Sequence, residues 1–163
     1  MPQINHILNW WHCESAEEVA KEWNQQAKEA YSSTIPLKPY VKEFLHLLRE
    51  RGAKTAIASS SPRELCLAAL RRHEIECCFD AICLSEDVGC GKHRPDVFLL
   101  AADKLRVKNC VVFEDNLTAM KAAKSVGMTI CAVYDESSKR DWAEIQSIAD
   151  YFIYDYREAQ ILL

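Results

Sequence analysis

Three short segments of this 163-residue chain carry the side chains best suited to chemistry, and each borders an apolar run. The first is Ser59-Ser60-Ser61-Pro62-Arg63-Glu64, directly after Lys54 to Ala58 (KTAIA). Ser61, Pro62 and Glu64 read as the cap, first and third positions of a helix, a start that needs no further role. Ser59 is left over. A hydroxyl at the last position of a strand, facing a helix N-terminus with free amides, suits a phosphate oxygen. Ser59 and its neighbour Ser60 therefore form a candidate anion site.

The second segment is Gly91-Lys92-His93-Arg94-Pro95-Asp96, a loop running into a helix. A loop lysine is usually solvated, but Lys92 lies between a glycine and a helix start. It could bring a compact, mobile positive charge to a phosphate or carboxylate, and Arg94 could serve instead. The third is Val111-Val112-Phe113-Glu114-Asp115-Asn116, an apolar run ending in two carboxylates. Adjacent acids opposite a lysine are oxygen donors of the kind Mg²⁺ accepts, one or two carboxylates beside phosphate oxygens. Asp115 or Asn116 could instead cap the next helix. One cap needs only one of them, which leaves Glu114 unexplained.

These segments need elements to bring them together. Ile4, Ile7, Leu8 and Trp11 predict a short amphipathic helix. Ser15 with Glu18 predicts a capped second helix whose stripe is Val19, Trp23, Ala27, Ala30 and Tyr31. From Pro39 helix and strand alternate. Helices are predicted after Pro39, over 62–72, 95–105, 117–126 and 142–148, the first stopping at Gly52 and the fourth at Gly127. Strands are predicted over 54–58, 81–84, 110–113, 128–133 and 151–154. This alternation implies an α/β fold, a three-layer Rossmann-like parallel sheet with helices on both faces. In such sheets ligands bind beyond the carboxyl ends of the strands, where all three segments fall.

Composition narrows the function classes. A net charge of −4 and a pI near 5.7 argue against a nucleic-acid surface, which needs clustered Lys and Arg. The basic run Leu70-Arg71-Arg72-His73 reads as a helix C-terminus favoured by the macrodipole. No apolar run approaches the roughly 18 residues of a membrane span, and no signal peptide is legible. The 8 cysteines form no C-x-x-C pair, so they read as reduced, mostly buried thiols of a cytoplasmic protein. Cys90, beside the anion site, is the candidate for reactivity.

The wording of LKPYVKEFLHLLRERGAKTAIASSS, GKHRPDVFLLAADKL and VVFEDNLTAMKAAKSVGM resembles the haloacid dehalogenase superfamily, in its β-phosphoglucomutase and small-metabolite phosphatase branch, from about Leu37 to Tyr154. The resemblance implies that Ser59 binds the transferring phosphoryl group and Lys92 neutralises it. It further implies that Glu114 and Asp115 hold Mg²⁺ and that Asp96 is structural. His93 replaces the family's usual proline. Residues 1–36 would then be a partial helical cap, and 37–163 the Rossmann-like core.

The family opens with a strand ending in D-x-D-G, whose first aspartate attacks phosphorus and whose second acts as acid and base. This chain contains no D-x-D. The resemblance places that missing strand between those ending at Ser59 and Phe113, so two inner sheet edges are expected to be open. The expectation is a shortened Mg²⁺-dependent phosphatase or phosphomutase for a small phosphorylated metabolite of the sugar-phosphate kind, inactive as given. The alternatives are a non-catalytic phosphate and Mg²⁺ binder, or a homodimer whose partner fills the gap.

Overall fold

The computed structural model describes residues 15–160; the helix predicted over 4–11 lies outside them, as does Cys13. Ser15 opens α1 (Ala16–Glu29) with the predicted capping box. Its Oγ accepts the Glu18 N–H at 3.2 Å, and the Glu18 carboxylate accepts the Ser15 N–H at 3.1 Å. The helix then widens into a π-type turn, Ala30–Thr34.

After Pro39 the chain enters α2 (Val41–Glu50) through Tyr40, whose φ of +64° is left-handed backbone. Such a conformation costs a non-glycine residue about 1–2 kcal/mol. Arg157 holds the ring in place, its guanidinium 4.1 Å from the centroid. The helix ends beside Gly52 at φ +71°, a value that glycine adopts freely.

The alternating unit follows as β1 (Ala56–Ser59), α3 (Arg63–Arg72), β2 (Ala81–Leu84), α4 (Ser85–Val88), α5 (Asp96–Leu105), β3 (Val111–Glu114), α6 (Leu117–Ser125), β4 (Thr129–Val133), α7 (Trp142–Ile148), β5 (Tyr151–Ile153) and α8 (Tyr156–Ala159). All strand pairs are parallel. The strands nevertheless fall into two blocks. In one, β1 pairs β2 from Ala56 opposite Ala81 to Ser59 opposite Leu84. In the other the order is β3-β4-β5, with Glu114 opposite Ala132 and Val133 opposite Ile153. No strand of the described residues pairs with the second edge of β1 or of β3. The sheet has not closed over the gap expected between Ser59 and Phe113.

Helices hold the blocks together. On one face α2 places Leu45 in the cluster of Leu84, Leu70 and Ile57, and Phe44 in that of Cys131, Val133, Ile153 and Phe113. Phe44 meets Phe113 edge-on at 5.3 Å and Tyr156 at 5.5 Å. On the other face Val97 and Phe98 of α5 share a core with Cys83, Ala58, Met120 and Ile130.

β1 starts two residues later than predicted. The Thr55 N–H is taken by the Asp80 carboxylate at 2.9 Å and its hydroxyl by the Cys78 carbonyl at 2.5 Å, so Thr55 stays out of the ladder. β3 runs one residue further, to Glu114.

Candidate active site

The three segments meet at one end of the sheet. β3 delivers Glu114 into a nearly closed environment, 8% exposed. Its Oε1 accepts the backbone N–H groups of Asp115 and Asn116, both at 3.1 Å, and its Oε2 pairs with Lys92 Nζ. Glu114 thus bends the turn after β3 and fixes the lysine of a different loop. The Lys92 ammonium also lies over the Phe98 ring, 5.5 Å from its centroid, so it has a second partner. Asn116, rather than Asp115, caps α6, its Oδ1 accepting the Ala119 N–H at 3.1 Å.

Asp115 turns the other way. Its Oδ2 lies 3.4 Å from Lys38 Nζ, and its carbonyl accepts the Ser138 hydroxyl at 2.5 Å. Lys38 also donates to Asp135 Oδ2 at 2.5 Å and to the Tyr134 carbonyl at 3.2 Å. The Lys38 ammonium, followed by the Ser137 hydroxyl and N–H, holds the Asp135 carboxyl down to about 2.

The serines differ from expectation. Pro62 is the cap position of α3 and makes no side-chain capping bond, and Ser61 does not cap it. The Ser61 hydroxyl lies 2.9 Å from the Tyr31 hydroxyl of the N-terminal helical segment. Ser59 Oγ accepts the Ser61 N–H at 3.0 Å, and Ser60 Oγ lies 3.0 Å from Ser85 Oγ. A cavity of about 560 Å³ opens between this corner and the N-terminal helix, lined by Ser60, Ser61, Lys92, Asn116, Tyr31 and Trp23 among others. Ser60 and Lys92 therefore face the cavity, while Ser59 braces the turn beside it. Asp96, in the first turn of α5, pairs with Arg94 at 3.1 Å.

Desolvation first, and the nearby Asp96 next, push the Cys90 thiol upward. Among the described residues Cys66, Cys78, Cys83 and Cys131 are buried, Cys77 is exposed, and all seven thiols are free.

No three His, Cys, Asp or Glu side chains converge as a ready cage among the described residues. Mg²⁺ does not need one, since one or two carboxylates with phosphate and water oxygens suffice. Asp115 fits that donor set: its Oδ1 receives no hydrogen bond among the described residues and the side chain is 37% exposed. Glu114, expected as its companion, is committed here to Lys92 and the turn amides.

Lys38, Asp135 and Tyr31 were not singled out from sequence. Asp135 follows β4 as Glu114 ends β3, so the strand-end rule that selected Ser59 also applies to it. Nothing local marks Lys38, and Tyr31 was legible only as the last position of an apolar helical stripe.

The haloacid dehalogenase-like hydrolase family profile matches residues 5–127. A phosphorylated carbohydrates phosphatase of Thermotoga maritima is 33% identical over 71% of this chain and 54% of its own length. Hexitol phosphatase B of Escherichia coli is 31% identical over 80% of this chain and 60% of its own. A solved Thermotoga maritima structure, provisionally described as a beta-phosphoglucomutase, superposes with a TM-score of 0.73 at 29% identity, covering 86% of this chain and 66% of that one. The chain thus spans little more than half the length of these curated relatives.

Proposed function

Because the chain belongs to the haloacid dehalogenase-like hydrolases, we propose that it forms the phosphate-binding core of a Mg²⁺-dependent phosphatase or phosphomutase acting on a small phosphorylated metabolite of the sugar-phosphate kind. The observation that carries this reading is Lys92, anchored by a buried Glu114 and lining a cavity together with Ser60 and Ser61. In this reading Lys92 neutralises the phosphoryl group, and the serine hydroxyls orient its oxygens. Glu114 keeps Lys92 aimed. Asp115 is the residue that would hold Mg²⁺, which would supply further charge neutralisation at the phosphoryl oxygens. Residues 1–36 act as part of a cap, since Trp23 and Tyr31 line the cavity wall opposite the core. The free thiols support a reducing, cytoplasmic setting.

Hydrolysis through a covalent intermediate needs a nucleophile in line with the leaving oxygen. With no D-x-D in the sequence, these 163 residues bind phosphate without turning it over, and chemistry requires a carboxylate-bearing strand seated between β1 and β3. The two unpaired edges there favour this reading. They equally favour a second one, an assembly in which a partner chain supplies the strand.

Calorimetric titration with a hexose phosphate in the presence of Mg²⁺ tests the proposal. Saturable binding is expected, weakened at least tenfold in Lys92→Ala. A folded protein that binds no phosphate ester, or binds it equally well after that substitution, overturns it.

A further inference from the structure

The carboxyl edge of the sheet holds a second lysine that the reading above leaves unused. Lys38 lies three residues ahead of α2, yet its ammonium gathers oxygens from the ends of two strands. The contacts are graded. Asp135 Oδ2 at 2.5 Å and the Tyr134 carbonyl at 3.2 Å, both following β4, are hydrogen bonds. Asp115 Oδ2, following β3, lies at 3.4 Å as an ion pair. Asp135 is itself fixed, its other oxygen accepting the Ser137 N–H at 2.9 Å and hydroxyl at 2.5 Å. Lys38 is therefore anchored on the β4 side and reaches across to Asp115. The Ser138 hydroxyl ties the Asp115 carbonyl to the same loop.

We infer that Lys38 is a positioning residue that occupies the Asp115 carboxylate with a tethered positive charge and so opposes divalent-cation binding there until a phosphate is present. This rests on the reading that Asp115 is the Mg²⁺ ligand. An ammonium 3.4 Å from Asp115 Oδ2 would stand within a few ångströms of any cation bound to that carboxylate. At the dielectric of a protein surface, repulsion at such a distance lowers affinity by about tenfold or more. A phosphoryl group brings negative charge that offsets it. By linkage, whatever phosphate does for Mg²⁺ affinity, Mg²⁺ does for phosphate affinity. Lys92 and Lys38 thus divide the edge, one drawing in the anion and the other keeping the metal carboxylate occupied in its absence.

Titration of the full chain with Mg²⁺ alone, without phosphate, tests this, with circular dichroism melts run on each variant. Lys38→Met is expected to bind Mg²⁺ about tenfold more tightly than wild type, Lys38→Arg to match wild type, and Asp115→Asn to lose binding. A purely bracing role for Lys38 would lower the melting temperature and leave Mg²⁺ affinity unchanged or weaker. That result in a folded Lys38→Met protein, with binding abolished in Asp115→Asn, overturns the inference and leaves the metal assignment standing. Mg²⁺ binding that survives Asp115→Asn overturns the metal assignment and the inference with it. Lys38→Gln removes the charge but keeps a donor for Asp135 and Tyr134, and carries the same expectation should Lys38→Met fail to fold.

Discussion

β4 and β1 are parallel strands of nearly equal length, but they live in different surroundings. β4 has neighbours on both sides, and Ile130, Cys131, Ala132 and Val133 are 0 to 2% exposed. β1 pairs with β2 alone, and all four of its residues are only half-buried. β3, with one partner, exposes Val111 and half-buries Val112 and Phe113. Parallel strands are ordinarily enclosed on both sides and both faces. The contrast therefore marks the line between β1 and β3 as an edge in what should be the middle of a sheet. The residues proposed to bind phosphate cluster at its carboxyl end, where the proposed chemistry would place its carboxylate.

If α2 spans that line, removing its anchor should hurt most. Phe44→Ala is expected to cost about 3–5 kcal/mol in urea unfolding, and a loss below 1 kcal/mol would mean the blocks do not depend on this helix. Ile130→Ala on β4 should cost about 2–5 kcal/mol, and Ile57→Ala on β1 clearly less. Equal losses would erase the contrast between enclosed and open strands. At the site end, Glu114→Ala leaves Lys92 without its carboxylate and frees the turn. A cost of about 3 kcal/mol is expected from breaking a buried pair, together with weaker phosphate-ester binding.

A smaller effect concerns pH. The Asp135 carboxyl is held near 2 in the folded chain, below the usual value of about 3.9. A depressed carboxylate adds stability above its unfolded value, and that stability disappears as pH falls from about 4 toward 2. The melting temperature of Asp135→Asn should accordingly decline less over this window than that of wild type. Least of all should follow from Glu144→Gln, which removes an exposed ion pair with Lys121 at 2.5 Å. Such pairs contribute about 0–1 kcal/mol.

Much of the fold was legible because it rests on local periodicity. The apolar spacing of Val41, Phe44, Leu45 and Leu48 makes a helix from any viewpoint, and the apolar runs read over 110–113 and 128–133 hold the strands Val111–Glu114 and Thr129–Val133. The misreadings occur where a distant residue intervenes. Thr55 leaves β1 because Asp80, 25 residues away, takes its N–H. Ser61 does not cap α3, and its hydroxyl lies instead against that of Tyr31, 30 residues away. The site divides the same way. Lys92 and Glu114 were visible as a loop cation and a strand-end acid, and they meet. The partner of Asp115 was not visible, because Lys38 is 77 positions upstream in an unremarkable context and only the closed fold brings it there. Local patterns name the groups at each strand end; which groups pair depends on sheet order, and here the order is broken at its centre.

The open line between β1 and β3 is tested most directly by residue-resolved amide hydrogen exchange on the full chain. The amides of β1 and β3 that do not bond to β2 or β4 should exchange orders of magnitude faster than those of β4, despite lying under α2 and α5. Protection of those junction amides equal to that of Cys131 and Val133 would contradict the account, because it would mean that the centre of the sheet is already filled.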